Sequence, residues 1–289
     1  MQKTGIEGVK NPDGTQGYTW NPLTGCLNHT PEGLCLGGGF PCYAFKLANG
    51  RLKSKYLAND NVAPVFLDTP GDEWQAKADP FYPRFWSERI DKARLELASA
   101  RKPRGIFPVD MGELFGGWLP PEWQEEVVAV FREFPQHRFY PLTKQPQNLI
   151  KFSPFPDNCW VGVTATGYKA FNEALDYLKG IEAKVKYISV EPLLEAIPFY
   201  MERLTYCGIN QIIVGAQTKP YKPPERAWLD GILEPCIKAR IPVFLKNNLK
   251  PLLENDHRTF INPLYWKDGY YTSPEHPNID LHLRQEMPK

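Results

Sequence analysis

From residue 104 onward, short runs of β-branched and aromatic residues alternate with longer stretches whose apolar residues recur every three or four positions. The short runs predict strands at residues 104–110, 137–144, 159–166, 185–192, 210–218 and 241–248. The longer stretches predict amphipathic helices at residues 121–134, 146–152, 169–181, 195–204 and 225–240. Because almost continuously apolar strands are typical of a parallel sheet that is covered on both faces, this alternation indicates an α/β fold.

One more strand-like run near the N-terminus, residues 17–24, brings the number of β–α repeats to seven. A TIM barrel has eight such repeats, so we predict a complete or partial (β/α) TIM-like barrel with mostly parallel strands. No GxGxxG sequence follows an early strand, which disfavours an open dinucleotide-binding sheet. We expect one barrel domain over residues 1–255, with residues 58–82 inserted over the mouth of the barrel and residues 256–289 forming a C-terminal extension or cap.

The overall charge is close to neutral, with 34 basic and 33 acidic residues and a net charge of +1. This balance indicates no global attraction to nucleic acid or to a membrane surface, so a partner of either kind would need a local patch of charge. The N-terminal residues lack the apolar core of a signal peptide, and no stretch approaches the roughly 18 apolar residues that predict a membrane-spanning helix. We therefore expect a cytoplasmic protein.

Almost every predicted strand ends in a residue that can form hydrogen bonds. In a parallel barrel the loops that follow the strands converge on one face, where the active sites of such barrels lie. The residues at these strand ends are Asn21, Thr24, Asp110, Gly112, Glu113, Thr143, Lys144, Thr164, Thr166, Glu191, Gln217, Lys246 and Asn247. For a single threonine or lysine, emergence of the strand into water explains the polar residue equally well.

Glu191 is the strongest functional candidate among the strand ends. It follows YISV directly and precedes Pro192 and two leucines, so we expect its carboxylate to be half buried. Buried acids are usually paired or bind a ligand. Lys246, at the end of the last predicted strand, is a candidate ion-pair partner for this carboxylate.

Three of the six cysteines, Cys26, Cys35 and Cys42, lie within seventeen positions of a glycine-rich segment that follows the first predicted strand. Clustered thiols in a reducing compartment indicate metal binding or catalysis rather than a disulfide scaffold. Three interpretations remain open from the residues alone. The thiols are incidental small residues; they bind zinc with His29 as a fourth ligand, although the usual CxxC knuckle is missing; or they hold a 4Fe-4S cluster and leave one iron open.

A set of short motifs in fixed order resembles one protein family. The motifs are TWNPLTGC (19–26), CYA (42–44), PRFW (83–86), DMGELFG (110–116), LTKQP (142–146), SVEPLL (189–194), VGAQT (214–218) and FLKN (244–247). They resemble the phage-associated, radical-SAM-like TIM-barrel family, whose members carry a three-cysteine motif ending in CYA and are often encoded beside a dedicated partner protein. Members of that family vary the gaps between the cysteines.

The resemblance implies a radical S-adenosylmethionine enzyme. Cys26, Cys35 and Cys42 would ligate a 4Fe-4S cluster whose open iron chelates S-adenosylmethionine, and one electron would cleave this cofactor to a 5′-deoxyadenosyl radical. The cofactor-binding residues that the resemblance implies are Asp110, Gly112 and Glu113 for the amino group, Thr164 and Glu191 for the ribose hydroxyls, Gly215 and Gln217 for the adenine, and in addition Thr143 and Lys144. Tyr43 packs either on the cluster or the adenine, or is simply an aromatic residue of the first helix.

Basic residues cluster beside aromatic residues at 46–56, 101–104 and 219–226. Such clusters can follow a phosphate backbone, so we expect a nucleic acid or nucleotide substrate that is modified or repaired, although a solvated surface explains them equally well. An enzyme of this class also needs an electron donor such as flavodoxin or ferredoxin. The alternative is a non-radical barrel with a structural zinc or another metal at the three cysteines, which binds nucleic acid or a partner protein.

Overall fold

The computed structural model describes residues 1–64, 72–198, 200–254, 266–267, 270–271 and 284–288. Its strands are β1 (Gln2–Lys3), β2 (Tyr18–Trp20), β3 (Leu23–Thr24), β4 (Arg84–Phe85), β5 (Gly105–Pro108), β6 (Arg138–Phe139), β7 (Leu142–Thr143), β8 (Trp160–Thr164), β9 (Val185–Val190), β10 (Gln211–Val214), β11 (Gln217–Thr218), β12 (Tyr221–Lys222), β13 (Val243–Leu245), β14 (Trp266–Lys267) and β15 (Tyr270–Tyr271). Its α-helices are α1 (Tyr43–Asn49), α2 (Lys53–Leu57), α3 (Asp72–Ala78), α4 (Ser87–Ala98), α5 (Pro121–Glu133), α6 (Tyr168–Lys179), α7 (Met201–Tyr206), α8 (Arg226–Lys238) and α9 (Lys250–Glu254). Short 3₁₀ helices lie at Pro146–Phe152 and Asn247–Leu249.

The chain divides into two compact units. The first comprises residues 1–162 and 181–184, and the second comprises residues 163–180 and 185–289. The boundary falls within β8, because residues 160–162 belong to the first unit and residues 163–164 to the second. The expected single domain over residues 1–255 stays a prediction. Residues 65–71 of the expected insertion and most of the expected C-terminal extension, 256–289, lie outside the described residues.

The first unit is built on a four-stranded sheet in the order β1-β2-β5-β6. Strands β2, β5 and β6 are parallel, and Trp20 at the end of β2 pairs with Pro108 at the end of β5. Strand β1 covers β2 in the antiparallel direction. Helices α4 and α5 bury apolar residues at helical spacing, namely Ile90, Ala93, Leu97, Val127, Val128 and Phe131. The segments that follow β2 and β5 therefore leave the sheet side by side.

The second unit contains the strands β13, β10 and β9 and the end of β8, in that order. Ile212 of β10 pairs in parallel with Ile188 on one side and Val243 on the other. The buried faces of α6 and α8 consist of Phe171, Ala174, Leu175, Leu178, Leu229, Ile232, Leu233 and Cys236. The described C-terminal residues cover the β13 edge, because the Leu245 N–H donates to the Arg284 carbonyl at 2.8 Å.

Parallel strands that alternate with helices confirm the predicted α/β fold, while closure into a complete or partial barrel stays a prediction. Two predicted strands are each broken at a proline. The run 17–24 becomes β2 and β3 on either side of Pro22, and the run 137–144 becomes β6 and β7 on either side of Pro141. Proline has no N–H to donate to a neighbouring strand, so it interrupts the ladder.

Two predicted helices also differ from the structure. Residues 146–152 form a 3₁₀ helix rather than an α-helix, and the helix predicted at 195–204 begins only at Met201, after Pro198. No helix in the described ranges combines the length and the apolar character that crossing a membrane requires.

Arg84, in β4, is fully buried and binds backbone carbonyls instead of a carboxylate. The acceptors are the carbonyl oxygens of Asn59 (3.0 Å), Asp79 (2.6 Å), Tyr82 (2.9 Å), Lys77 (2.7 Å) and Ala76 (3.5 Å). Two of these carbonyls belong to the last turn of α3, where a helix leaves carbonyls without a partner of its own. Arg84 thereby fixes the course of the chain around Phe81, a residue that contacts the cysteine-bearing segment described below.

Arg84→Met is expected to lower the free energy of unfolding by about 3–5 kcal/mol, because the carbonyls lose their donor in a site that water does not reach. Urea denaturation measures this change. The matched control is Arg132→Met, which removes a half-exposed arginine that pairs with Glu125 on the surface. The control should cost less than about 1 kcal/mol, and equal losses in the two variants would contradict the role assigned to Arg84.

Candidate metal centre

The cysteine loop, residues 25–42, begins directly after β3. The Gly25 N–H donates to the Met111 carbonyl at 2.9 Å, and the Cys26 N–H donates to the Phe81 carbonyl at 3.1 Å. Gly25 has a φ of +89°, which glycine adopts without the steric penalty of a side chain. A Cβ here would stand 2.5 Å from the carbonyl oxygens of Phe81 and Tyr82. The position of Cys26 therefore depends on the absence of a side chain at Gly25.

The cysteine loop then folds back on itself twice. Antiparallel bridges join His29 to Cys35 and Leu34 to Pro41. Cys42 follows the second bridge directly and caps the N-terminus of α1. The two reversals bring the three cysteines of the loop into one region of the first unit.

Each of the three sulfurs lies beside a backbone N–H group. The donors are Asn28 for Cys26 (3.3 Å), Phe45 for Cys42 (3.5 Å) and Gly37 for Cys35. Hydrogen bonds to sulfur stabilise thiolates and tune the clusters that thiolates hold. The donor set of the cysteine loop therefore fits an iron–sulfur cluster.

Burial and neighbouring charges act together on these thiols. Burial raises the pKa of Cys26 to about 12, and the Glu113 carboxylate and the other two cysteines act in the same direction. Burial also raises the pKa of Cys35, an effect that the Lys144 ammonium opposes. Because Cys35 and Cys42 act on the pKa of Cys26, and Cys42 acts on the pKa of Cys35, the three cysteines lie close enough together to interact electrostatically. Positive charge bound among them would favour the thiolate forms that ligate metals.

Glu113 is a buried carboxylate that joins the ends of β5 and β7. Its Oε1 accepts from the Thr143 hydroxyl at 2.6 Å and from the Phe115 N–H at 3.1 Å, and its Oε2 accepts from the Lys144 N–H at 2.9 Å. Burial raises the pKa of Glu113, while these hydrogen bonds and the Lys144 charge oppose the rise. Because Glu113 also acts on the pKa of Cys26, the structure brings Glu113, Thr143 and Lys144 together with the cysteine loop.

The Lys144 side chain packs against the cysteine loop. A Cβ on Gly37 would lie 3.0 Å from the Lys144 Cβ, and the Lys144 ammonium lies 5.6 Å from the centre of the Phe40 ring. A lysine in this position supplies positive charge beside thiols that lie near a buried carboxylate.

The turn after β5 carries Asp110 in a strained backbone. The preceding residue, Val109, has a φ of +58°, a region that β-branched residues rarely enter and that costs about 1–3 kcal/mol. Asn21 spans the turn, because its amide donates to the Asp110 carboxylate and its Oδ1 accepts from the Met111 N–H at 3.0 Å. Burial raises the pKa of Asp110, and the Asn21 hydrogen bond opposes this rise.

The same turn contacts the start and the end of the cysteine loop. A Cβ on Gly112 would stand 2.8 Å from the Gly25 carbonyl oxygen, so the two backbones touch. Tyr43, the residue after Cys42, donates its hydroxyl to the Asp110 carbonyl. Asp110 and Gly112 are thus placed beside the cysteines, as their positions after β5 predict.

In the second unit, Glu191, Gly215 and Lys246 meet at the carboxyl ends of β9, β10 and β13. The Lys246 ammonium binds the Glu191 carboxylate at 2.7 Å, which confirms the predicted ion pair. The Glu191 side chain is 28% exposed and lies against Gly215, where a Cβ would stand 3.0 Å from the Glu191 Cγ. The predicted partial burial of Glu191 is also confirmed.

Thr164 and Gln217 have different surroundings in the second unit. The Thr164 hydroxyl is buried and has no hydrogen-bond partner within the described part of the chain. The Gln217 side chain donates to the Pro220 carbonyl at 3.1 Å and belongs to the β11–β12 hairpin. Gln217 is therefore not part of the Glu191 group, whereas Thr164 retains a hydroxyl that can bind a ligand.

Two residues near the cysteines have contacts that the sequence did not indicate. Arg89 donates to the Asn21 carbonyl at 2.7 Å and stacks on Trp86. In the sequence, Arg89 cannot be told apart from an ordinary charged residue on the surface of a helix. The His29 ring packs on Phe45, and its Nδ1 lies 2.7 Å from the Thr30 carbonyl. Across the residues that the structure describes, no three His, Cys, Asp or Glu side chains are set to hold one metal ion.

Gly25→Ala is expected to lower the free energy of unfolding by about 3 kcal/mol or more, because the new methyl group adds a backbone clash to the strain of a positive φ. Gly14→Ala is the matched control, since Gly14 has a φ of +83° and open space around its Cα. The control should cost about 1–2 kcal/mol, which is the strain alone. Losses of the same size in urea denaturation would show that the contact of Gly25 with Phe81 and Tyr82 is unimportant.

Comparison with known proteins gives a family and one distant structural similarity. No curated protein matches the sequence. A solved structure of a spore photoproduct lyase mutant, with bound AdoMet and dinucleoside spore photoproduct, is 11% identical in sequence and has a TM-score of 0.42. That similarity covers 81% of this chain and spans 64% of the lyase chain. The chain belongs to the family described as Protein of unknown function (DUF5131), whose sequence profile matches residues 14–251.

Proposed function

We propose that this protein is a radical S-adenosylmethionine enzyme in which Cys26, Cys35 and Cys42 hold a 4Fe-4S cluster. The observation that carries the proposal is the gathering of three thiols by one loop, each beside a backbone N–H donor. The other cysteines, Cys159, Cys207 and Cys236, are buried outside this loop. A cube held by three thiolates keeps one iron open for another ligand.

When bound, the cluster and S-adenosylmethionine would supply the difficult chemistry, a one-electron cleavage that yields a 5′-deoxyadenosyl radical able to take a hydrogen atom from the substrate. The chain's own residues would hold this cluster and orient it. The backbone contact of Gly25 with Met111 fixes the first cysteine, and the Cys42 cap fixes the third to the start of α1. Lys144 offsets part of the negative charge that three thiolates and Glu113 would collect.

The turn after β5 is the proposed binding site for the amino group of S-adenosylmethionine. Asp110 and Glu113 supply carboxylate acceptors there, and Gly112 lets the turn pack against the backbone of Gly25 in the cysteine loop. Glu113 already accepts three hydrogen bonds, and a carboxylate has about four acceptor positions, so one remains for a ligand. The roles expected for Thr164, Glu191, Gly215 and Gln217 in binding ribose and adenine stay predictions.

The proposed substrate is a nucleic acid or nucleotide, and the proposed reaction is modification or repair. Support for this part comes from the basic clusters of the sequence, above all residues 46–56, which follow the last cysteine of the loop. An electron donor such as flavodoxin or ferredoxin and a dedicated partner protein are the expected protein partners.

Anaerobically purified protein is expected to be brown and to contain about four irons per chain, because the three thiols are the ligands of the cluster. Cys35→Ala should lose the iron and the colour while the far-ultraviolet circular dichroism stays unchanged. Cys207→Ala, which removes a buried thiol of the second unit, is the matched control and should keep both. Metal analysis and absorption spectroscopy measure the outcome.

Two results would contradict this proposal. Colourless protein with a stoichiometric amount of zinc would favour the structural-metal alternative. Equal iron content in Cys35→Ala and the unmodified protein would show that the cysteine loop is not the cluster site.

A further inference from the structure

The cysteine-bearing segment carries a local excess of positive charge. Residues 18–59 contain four basic side chains and a single acid, Glu32, which gives this segment a net charge of +3. The whole chain carries only +1, so the remainder carries −2. The near-neutral total therefore hides a local field of the kind that attracts anions.

These four basic residues lie on α1, on α2 and in the turn between them, which together form the basic helical pair (residues 43–57). Ala44, Ala48 and Tyr56 form its buried face and pack with Phe81, Trp86 and Met111. The outer surface is exposed and carries Lys46, Arg51, Lys53 and Lys55. Because Cys42 is the N-cap of α1, the rigid packing of the pair holds this charge at a fixed position relative to the cysteine loop.

The charge of the basic helical pair is not compensated by acids. None of its four basic side chains forms an ion pair or a hydrogen bond with any residue in the described ranges. Other cations at the protein surface do form such pairs, including Lys77 with Glu73, Arg94 with Glu133 and Lys238 with Glu234. Four like charges within ten positions repel one another, and a bound polyanion would relieve this repulsion.

An exposed aromatic residue follows the last cysteine of the loop directly and precedes the four basic residues in the sequence. Tyr43, the first residue of α1, is 51% exposed although its hydroxyl is held by the Asp110 carbonyl. A tyrosine ring that is held at its hydroxyl and half exposed suits the stacking of a nucleobase, whereas lysine and arginine suit phosphates. An acidic protein partner would use the charges but would have no need of this ring.

We propose that the basic helical pair binds the phosphate backbone of a single-stranded nucleic acid and that Tyr43 stacks on one of its bases. The surface places that base beside Cys42, the residue that precedes Tyr43. This inference rests on the proposed function, because it identifies where the substrate of the proposed enzyme binds. The binding itself does not require the cluster.

The test is a salt titration of binding to a fluorescently labelled single-stranded oligonucleotide, followed by anisotropy. In the patch variant four residues are changed together, Lys46→Ala, Arg51→Ala, Lys53→Ala and Lys55→Ala. Its affinity should fall about tenfold or more, and the slope of log affinity against log salt should become shallower by about 0.7 per lost phosphate contact. The matched control removes the same charge from exposed lysines elsewhere, with Lys151→Ala, Lys169→Ala, Lys184→Ala and Lys238→Ala, and should change affinity by less than about threefold.

A second variant separates stacking from charge. Tyr43→Leu should weaken binding by about fivefold or more with an unchanged salt slope, because it removes the ring and no charge. Leu36→Gln tests the competing protein partner, since Leu36 is a 62% exposed apolar residue of the cysteine loop that a protein surface would cover. It should leave oligonucleotide binding unchanged.

The outcomes distinguish this inference from the proposed function. If protein that contains no iron binds the oligonucleotide and the patch variant does not, the result supports the proposed binding surface and contradicts the proposed cluster. Two results with iron-loaded protein would contradict the binding surface and leave the cluster untouched. In the first, the patch variant binds the oligonucleotide as tightly as the unmodified protein. In the second, the control variant loses as much affinity as the patch variant. Binding to an acidic carrier such as flavodoxin in place of oligonucleotide, weakened by both the patch variant and Leu36→Gln, would also overturn the binding surface.

Discussion

The backbone contact between the cysteine loop and the turn after β5 is the constraint on which the rest of the site depends. The Gly25 N–H donates to the Met111 carbonyl, and Gly112 lies so close to the Gly25 backbone that a side chain at Gly112 would clash with it. Parallel pairing of β2 with β5 produces this contact, because both segments leave the sheet at the same edge. A thiol-bearing loop and a carboxylate-bearing turn are thereby held together by main-chain atoms.

The electrostatics of the site follow from that contact. Burial places the Glu113 carboxylate and the Cys26 thiol in a poorly solvated region, and the pKa of each is raised. Lys144 lies against the same loop and opposes the rise at Cys35. A raised pKa favours the uncharged form of each group, so positive charge bound at this loop would favour the thiolate forms that ligate metals. The strained φ of Val109 belongs to the same turn, and strain of this kind is typical of functional sites.

Hydrophobic periodicity predicted the α/β fold and most strand positions, and the polar strand ends predicted the Glu191–Lys246 ion pair. What it could not predict depends on tertiary contacts. Arg84 is fully buried, although arginine is almost never buried alone, and only the carbonyls around it explain this. The backbone preferences of valine do not predict the positive φ of Val109. The hydrogen bonds that Glu113 makes with Thr143 and Lys144 join residues about thirty positions apart in the sequence. The two reversals of the cysteine loop likewise depend on pairings that the spacing of the cysteines does not show.

The central claim is that the cysteine loop holds a cluster with one iron open to S-adenosylmethionine. The most direct measurement is electron–nuclear double resonance on the reduced protein, with S-adenosylmethionine that carries an isotopically labelled amino nitrogen. The account predicts a hyperfine coupling between the cluster and that nitrogen, which is lost when the cofactor is omitted. A cluster spectrum that does not change at saturating S-adenosylmethionine would contradict it.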